Sequence, residues 1–236
     1  MNPVASVGSS GVLYIVSTPI GNLEDISQRA INVLTEVDLI AAEDTRTTGN
    51  LLKHFAISKP LVSYHNFNEA RRVPELIAKL KSGASIALVS DAGTPGISDP
   101  AYRIIHAAVE ESIPVVAAPG PTAFLVAIIA SGINCERFVF EGFLPVKKGR
   151  RTALERLKTE QFPIVLYESP HRLLRTLTDL RDTLGDRQAS VSRELTQKFE
   201  ETRRGTFSEL IAYFSSKTVR GEFVLVIEGT TNPGER

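Results

Sequence analysis

The chain has 236 residues, room for one large domain or for two of about 110 residues each. Its 27 basic and 27 acidic side chains cancel, which excludes a global field drawing it to nucleic acid or membrane and leaves any polyanion binding to local clusters. A single cysteine, Cys135, and four scattered histidines exclude an internal disulfide and a Cys-rich zinc site; no metal is expected, and the usage fits a reducing cytosol.

Residues 1–11, rich in Ser, Gly and Val, read as a flexible N-terminal tail. No basic flank precedes a long apolar segment and no run reaches membrane-spanning length, so a cytoplasmic protein with no membrane contact is expected. Val12 to Val16 reads as a strand, after which Ile26, Ala30, Val33, Leu34 and Val37 recur at helical spacing. Val37 to Ala42 is a second apolar run that ends in Glu43-Asp44-Thr45-Arg46. Pro60 to Tyr64 is a third strand, followed by a helix from Asn68 to Lys81. Ile86 to Ser90 is the fourth; Tyr102, Ile105 and Val109 then mark a helix, and Pro114 to Ala118 is the fifth strand. Strict β and α alternation predicts a mostly parallel sheet with flanking helices over residues 12–120.

Past Gly120 the rhythm changes. A strongly apolar helix from Thr122 to Ala130 precedes a strand at Arg137 to Phe143 and a basic turn at Pro145 to Arg151. A helix leads to the strand Pro163 to Tyr167, and Leu173, Leu177, Leu180 and Leu184 mark another helix. Gln188 to Leu195 and Glu222 to Glu228 read as strands, with a short helix around Phe207, Leu210, Ile211 and Phe214. A second α/β domain with a mixed sheet is expected over residues 121–236.

The segment Ser90-Asp91-Ala92-Gly93-Thr94-Pro95-Gly96-Ile97-Ser98-Asp99-Pro100 carries the strongest functional signal. Its glycines permit unusual backbone angles, and Pro95 removes a donor, so the strand must end. Ser98 or Asp99 is placed to cap the next helix, with Pro100 in its first turn. Polar residues also gather after the first strand (Ser17 to Asn22) and the second (Glu43 to Arg46), and ligands bind at such carboxyl ends. No Gly-x-Gly-x-x-Gly or Gly-Lys-Ser/Thr loop is present, and Asp91 would repel a phosphate. An aspartate beside a glycine-rich turn suits a ligand with hydroxyls or positive charge, such as S-adenosylmethionine.

Five motifs then occur in order: Thr18-Pro19-Ile20-Gly21-Asn22-Leu23-x-Asp25, Glu43-Asp44-Thr45-Arg46, Ser90 to Gly96, Pro119-Gly120-Pro121-Thr122-Ala123, and Tyr167-Glu168-Ser169-Pro170-His171-Arg172. Together with Arg193 to Lys198 and Arg220 to Phe223, the set resembles the ribosomal RNA branch of the tetrapyrrole methylase superfamily, class III S-adenosylmethionine-dependent methyltransferases. The Pro19-x-Gly21-Asn22 loop, in place of a glycine-rich first loop, favours that branch over the corrin-ring enzymes. The resemblance implies a two-domain tetrapyrrole-methylase-like α/β fold with the cofactor in the interdomain cleft, in a homodimer. It implies 2′-O-methylation of a cytidine in the decoding region of 16S rRNA, within the 30S subunit. Carried over by position, the cofactor contacts are Pro19, Ser90, Asp91, Ala92, Gly93, Gly96, Ile97, Pro121, Thr122, Ala123, Tyr167, Glu168 and Ser169.

A ribose hydroxyl is a poor acid, so a general base is sought among Asp44, Glu43 and Glu194, with His171 and His65 behind them. Glu43 and Glu194 are equally placed to form ion pairs with Arg46 and Arg193. Lys147, Lys148, Arg150 and Arg151 form the densest basic cluster and, with Arg46 and Arg172 at the ends of two motifs, are the expected RNA contacts. Arg71-Arg72 and Arg203-Arg204 are smaller clusters. Tyr64, Phe67 and Phe143 are candidates to stack a splayed base, core packing being the ordinary use of each phenylalanine. Two other readings remain open at this point: a corrin-type ring methyltransferase of the same fold, and a non-catalytic nucleotide-binding module of ribosome assembly.

Overall fold

A computed structural model describes residues 11–230, so the tail expected over residues 1–11 lies outside the described residues except for Gly11. The chain divides into two compact units between Thr122 and Ala123.

The first unit is built on five strands: β1 (Leu13–Val16), β2 (Leu39–Ala42), β3 (Leu61–Ser63), β4 (Ile86–Val89) and β5 (Val115–Ala118). They lie in the order β3-β2-β4-β1-β5, all parallel. Helices α1 (Gln28–Glu36) and α2 (Thr45–His54) cover one face, and α3 (Glu69–Lys81) and α4 (Tyr102–Glu110) the other. The strands are apolar on both faces because both are covered: Ile86 and Leu88 pack with α3 and α4, while Ala87 and Val89 pack with α1 and α2. The connection leaving β1 runs toward β2, and the one leaving β4 runs the opposite way, toward β5. Adjacent strands β1 and β4 therefore form the topological switch point, where an open α/β sheet presents its ligand site.

One element goes unread in the sequence and one expectation fails here. Helix α2 opens on Thr45, Thr47, Thr48 and Gly49, which are poor helix formers; the Asp44 carboxylate starts it by accepting the Arg46 N–H at 2.8 Å. Helix α4 begins at Tyr102 with Ala101 at its cap, so neither Ser98 nor Asp99 caps it and Pro100 precedes it. Asp99 is instead partly buried beside Ser90.

In the second unit, α5 (Ala123–Ser131) is followed by β6 (Val139–Phe143), α6 (Arg150–Leu157), β7 (Ile164–Glu168), α7 (Leu173–Leu184), β8 (Gln188–Arg193), β9 (Glu201–Thr206), α8 (Phe207–Ser215) and β10 (Phe223–Ile227). The sheet order is β6-β7-β10-β8-β9, with only β6 and β7 parallel. Leu166, Val191, Phe223, Leu225 and Ile227 form a core with α6, α7 and α8, and α5 packs on β7, β8 and β10. Arg204 on β9 closes the end of α5, donating from Nε to the Ser131 carbonyl at 3.0 Å and from its terminal nitrogen to that of Ala130. Among the described residues, no helix is long and apolar enough to cross a membrane.

Candidate active site

The loops after β1, β4 and β5 are tied to one another at the switch point. Thr18 and Gly93 exchange backbone hydrogen bonds, N–H to O at 2.9 and 3.0 Å. The Thr18 hydroxyl also donates to the Ser90 carbonyl at 3.2 Å. A chain of hydroxyls continues across the strands, with Ser17 Oγ 2.9 Å from Thr94 Oγ1 and Thr94 Oγ1 2.8 Å from Thr122 Oγ1. Two glycines make this closeness possible. Gly93 sits at φ +84°, which L side chains rarely adopt, and a Cβ on Gly120 would stand 2.7 Å from Ser17 Cβ. Loops fixed in this way present a preset backbone to a ligand, with no ordering left to complete on binding.

Among the residues expected to touch a cofactor, Asp91, Ala92, Gly96 and Ile97 are exposed, and Pro19 and Pro121 are half-buried. Ser90, Gly93 and Thr122 are buried parts of the loop framework. Ala123 opens α5 in the second unit. Tyr167 and Ser169 are half-buried, but Glu168 is only 2 % exposed and its carboxylate is fully engaged. It accepts the Ser169 N–H at 2.8 Å and the Thr176 hydroxyl at 2.5 Å, and pairs with Arg172 Nε at 3.2 Å. Glu168 thus has only its backbone to offer a ligand.

The three general-base candidates separate cleanly. Asp44 is paired with Arg46 and caps α2; hydrogen bonds from the Arg46 side chain and backbone hold its carboxyl down at about 2. A carboxylate that acidic is a weak base. Glu194 accepts the Glu222 N–H at 3.0 Å, bracing a loop of the second unit where it sits at φ +49°. Glu43 differs from both. It leaves β2 beside β4, with Ala42 opposite Val89, and accepts the Asp91 N–H through Oε2 at 3.3 Å. Burial raises its pKa above the ordinary value, and the charges of Asp99 and Asp91 raise it further, against the Asp91 N–H and the charge of His65. Asp91 returns the bond, accepting the Asp44 N–H through Oδ1 at 3.0 Å, and burial raises its pKa too. Asp99, which sequence reasoning used only as a cap, completes the group with its own pKa raised by burial. Its position one residue before Pro100 carries no signal that would have revealed this role.

The basic residues also sort. Lys147, Lys148 and Arg151 are exposed, as is Arg46. Arg150, expected with them as an RNA contact, is instead 5 % exposed: Nε pairs with Asp179 at 2.8 Å and a terminal nitrogen donates to Thr176 Oγ1 at 2.9 Å. Its guanidinium is unavailable to a phosphate. Arg172 is likewise occupied, by Glu168 and the Leu144 carbonyl. Arg203 pairs with Glu201 and lies over the Tyr213 ring. A surface depression of about 390 Å³, bounded by Leu52, Lys53, Ile57 and Lys59, holds none of the expected site residues.

Comparison with known proteins gives the chain its family and its fold relatives. Residues 12–211 match the family described as Tetrapyrrole (Corrin/Porphyrin) Methylases. A ribosomal RNA small subunit methyltransferase I from Synechocystis sp. is 55 % identical over 94 % of this chain and 80 % of its own length. One from Halalkalibacterium halodurans is 51 % identical over 93 % of this chain and 76 % of its own. In fold, the chain is similar to the uroporphyrin-III C-methyl transferase of Thermus thermophilus, solved with S-adenyl homocysteine, at a TM-score of 0.65 and 15 % identity over 92 % of this chain and 97 % of that one. The chain belongs to the ribosomal RNA small subunit methyltransferase I family, S-adenosylmethionine-dependent enzymes of tetrapyrrole methylase fold.

Proposed function

We propose that this methyltransferase modifies the 2′-oxygen of a cytidine ribose in the decoding region of 16S ribosomal RNA, acting as a homodimer on the 30S subunit in the cytoplasm. The shared name of relatives about half identical over most of the chain supports ribosomal RNA as the substrate class. The observation that carries the chemistry is Glu43, a carboxylate whose proton affinity is raised at the carboxyl edge of a parallel sheet.

The switch-point loops fit S-adenosylmethionine. Asp91 and Ala92 are exposed, and among the described residues the Asp91 carboxylate accepts only through Oδ1, which leaves Oδ2 for a ligand hydroxyl or amine. The carboxylates favour a cationic ligand over a phosphate. When bound, the cofactor supplies a methyl group on a positively charged sulfur. The protein's part is to hold the acceptor oxygen in line at near-attack distance, which is worth on the order of 7–11 kcal/mol when the geometry is good. As that oxygen gains the methyl it must lose its proton, and Glu43 is the group proposed to receive it. A carboxylate of raised pKa is a stronger base than an ordinary one, so the transfer is less uphill. Tyr167 and Ser169 are proposed as further cofactor contacts, and Lys147, Lys148, Arg151 and Arg46 as phosphate contacts.

The direct test incubates the protein with methyl-labelled S-adenosylmethionine and 30S particles lacking the modification, then maps the labelled nucleotide. Label on a cytidine 2′-oxygen of 16S RNA is the expected result. Label in no RNA would overturn the proposal.

A further inference from the structure

We infer that Phe67 is the platform on which a splayed base of the RNA substrate stacks, an inference that rests on the ribosomal RNA reading above. Phe67 lies in the loop between β3 and α3 and is 97 % exposed. A phenylalanine on a slack loop would fold back onto apolar surface, because leaving it in water forfeits its burial. Here the backbone on either side is pinned. The Phe67 N–H donates to His65 Nδ1 at 3.2 Å, and the His65 N–H donates to Asn68 Oδ1 at 2.9 Å. Asn68 stands at the cap position of α3, yet its side chain does not cap the helix: Nδ2 reaches back to the carbonyl and hydroxyl of Ser63, both at 3.2 Å. The His65 ring meets Phe67 edge to face, with centroids 6.0 Å apart. The loop thus holds an aromatic ring out into solvent on a pinned backbone.

Its location gives the ring a use. Ser63 of β3 pairs with Ala42 of β2, so the loop leaves the sheet at the same edge as Glu43, and His65 is near enough for its charge to act on Glu43. Four residues beyond Phe67, Arg71 is exposed in the first turn of α3 and forms no ion pair among the described residues, whereas Arg72 is held by Glu75 at 2.6 Å. An exposed ring followed four residues on by an exposed arginine is a pairing suited to single-stranded RNA, ring to base and cation to phosphate. The other two aromatic candidates are less suited. Tyr64 is buried, and Phe143 packs against the Tyr167 ring with centroids 5.6 Å apart. Because every base has a π face, the contact anchors a nucleotide without reading its identity.

The test compares Phe67→Ala with Phe67→Trp in methyl transfer to 30S particles. Phe67→Ala is expected to raise KM for the particles at least about fivefold, the lower end of what a base–aromatic stack contributes. Phe67→Trp should stay near wild type. S-adenosylmethionine affinity and the melting midpoint should be unchanged in both, since Phe67 contacts neither the core nor the switch-point loops. A photoreactive phenylalanine at position 67 should yield an adduct that ribonuclease digests. An unchanged KM in Phe67→Ala, or an adduct only to ribosomal protein, overturns the inference. If the wild-type enzyme itself fails to methylate the particles, the ribosomal RNA reading falls instead.

Discussion

The two units each carry a group of partly buried carboxylates, and the groups have opposite electrostatic states. In the second unit the chain Asp179–Arg150–Thr176–Glu168–Arg172 is closed: Thr176 accepts from Arg150 and donates to Glu168, and each acid has a cationic partner. In the first unit Glu43, Asp91 and Asp99 crowd together, and among the described residues no lysine or arginine forms an ion pair with any of them. Burial raises all three pKa values, and like charge adds to the shift. A network that satisfies its charges holds a fold; one that leaves them strained is costly to keep unless a ligand or a reaction uses it. The satisfied group braces the Tyr167-to-Arg172 motif and the basic turn, and the strained one lies beside the switch-point loops.

The sharpest way to break this contrast is to open the closed network. Glu168→Ala would leave Arg172 without its carboxylate and the Thr176 hydroxyl without its acceptor, and removing one partner of a buried pair costs about 3–5 kcal/mol. Urea denaturation should show that loss, a large fraction of an ordinary domain's stability. A loss under about 1 kcal/mol would mean the network is not the brace described here.

Glu43→Gln should do the reverse. Methyl transfer should slow about 100-fold or more with the proton acceptor gone, read in single-turnover assays with bound substrate. Stability should rise. Each carboxyl of the cluster binds its proton more tightly folded than unfolded, so between those two values the native state holds more protons and stability falls as pH rises. At neutral pH the ionised cluster is therefore a cost, which a neutral glutamine lessens. The wild-type rate should climb with pH through an acid limb lying above 4.5, the ordinary glutamate value, and Glu43→Gln should lack that limb. A lower melting midpoint in Glu43→Gln at pH 7 would contradict the strained state.

How far the sequence shows these things follows from what each residue's role depends on. The strands of the first sheet are legible because burial on both faces makes them short apolar runs, and their polar ends are legible because the pattern stops there. Strand β9 is not, since Glu201-Thr202-Arg203-Arg204-Gly205-Thr206 has no apolar alternation; it exists by pairing along β8 as an edge. The roles of Glu43, Arg150 and Glu168 depend on long-range neighbours. Arg150 looks like part of a surface cluster until Asp179 and Thr176, more than twenty residues away, are seen to enclose it. Glu43 and Glu194 look alike in sequence until one is found beside two further carboxylates and the other under a backbone N–H.

Asp91 offers a smaller effect that separates binding from chemistry. Asp91→Asn keeps an acceptor oxygen for the Asp44 N–H but removes the charge facing a cationic ligand. S-adenosylmethionine affinity measured by calorimetry should fall at least about tenfold, the lower end of the roughly 1.5–3 kcal/mol of a charged hydrogen bond. Binding of S-adenosylhomocysteine, which lacks the sulfonium charge, should change less. Equal losses for both would show that Asp91 reads the hydroxyls or the amine rather than the sulfonium.

The basic turn gives the finest test, because Arg150 lies among the very residues it must be told apart from. Changing Lys147, Lys148 and Arg151 together to Ala should weaken binding to 30S particles modestly and flatten its salt dependence. Each lost phosphate contact removes about 0.7–0.9 from the slope of log affinity against log salt, roughly 2–3 in all. Arg150→Ala, which takes from Asp179 its nearer cation and from Thr176 a donor, should lower the melting midpoint and leave that slope alone. The pair of measurements separates a cation used for recognition from one used for packing, though the two are adjacent in the chain. A slope unchanged in the triple variant but flattened by Arg150→Ala would reverse the assignment and make the buried guanidinium the one that reaches RNA.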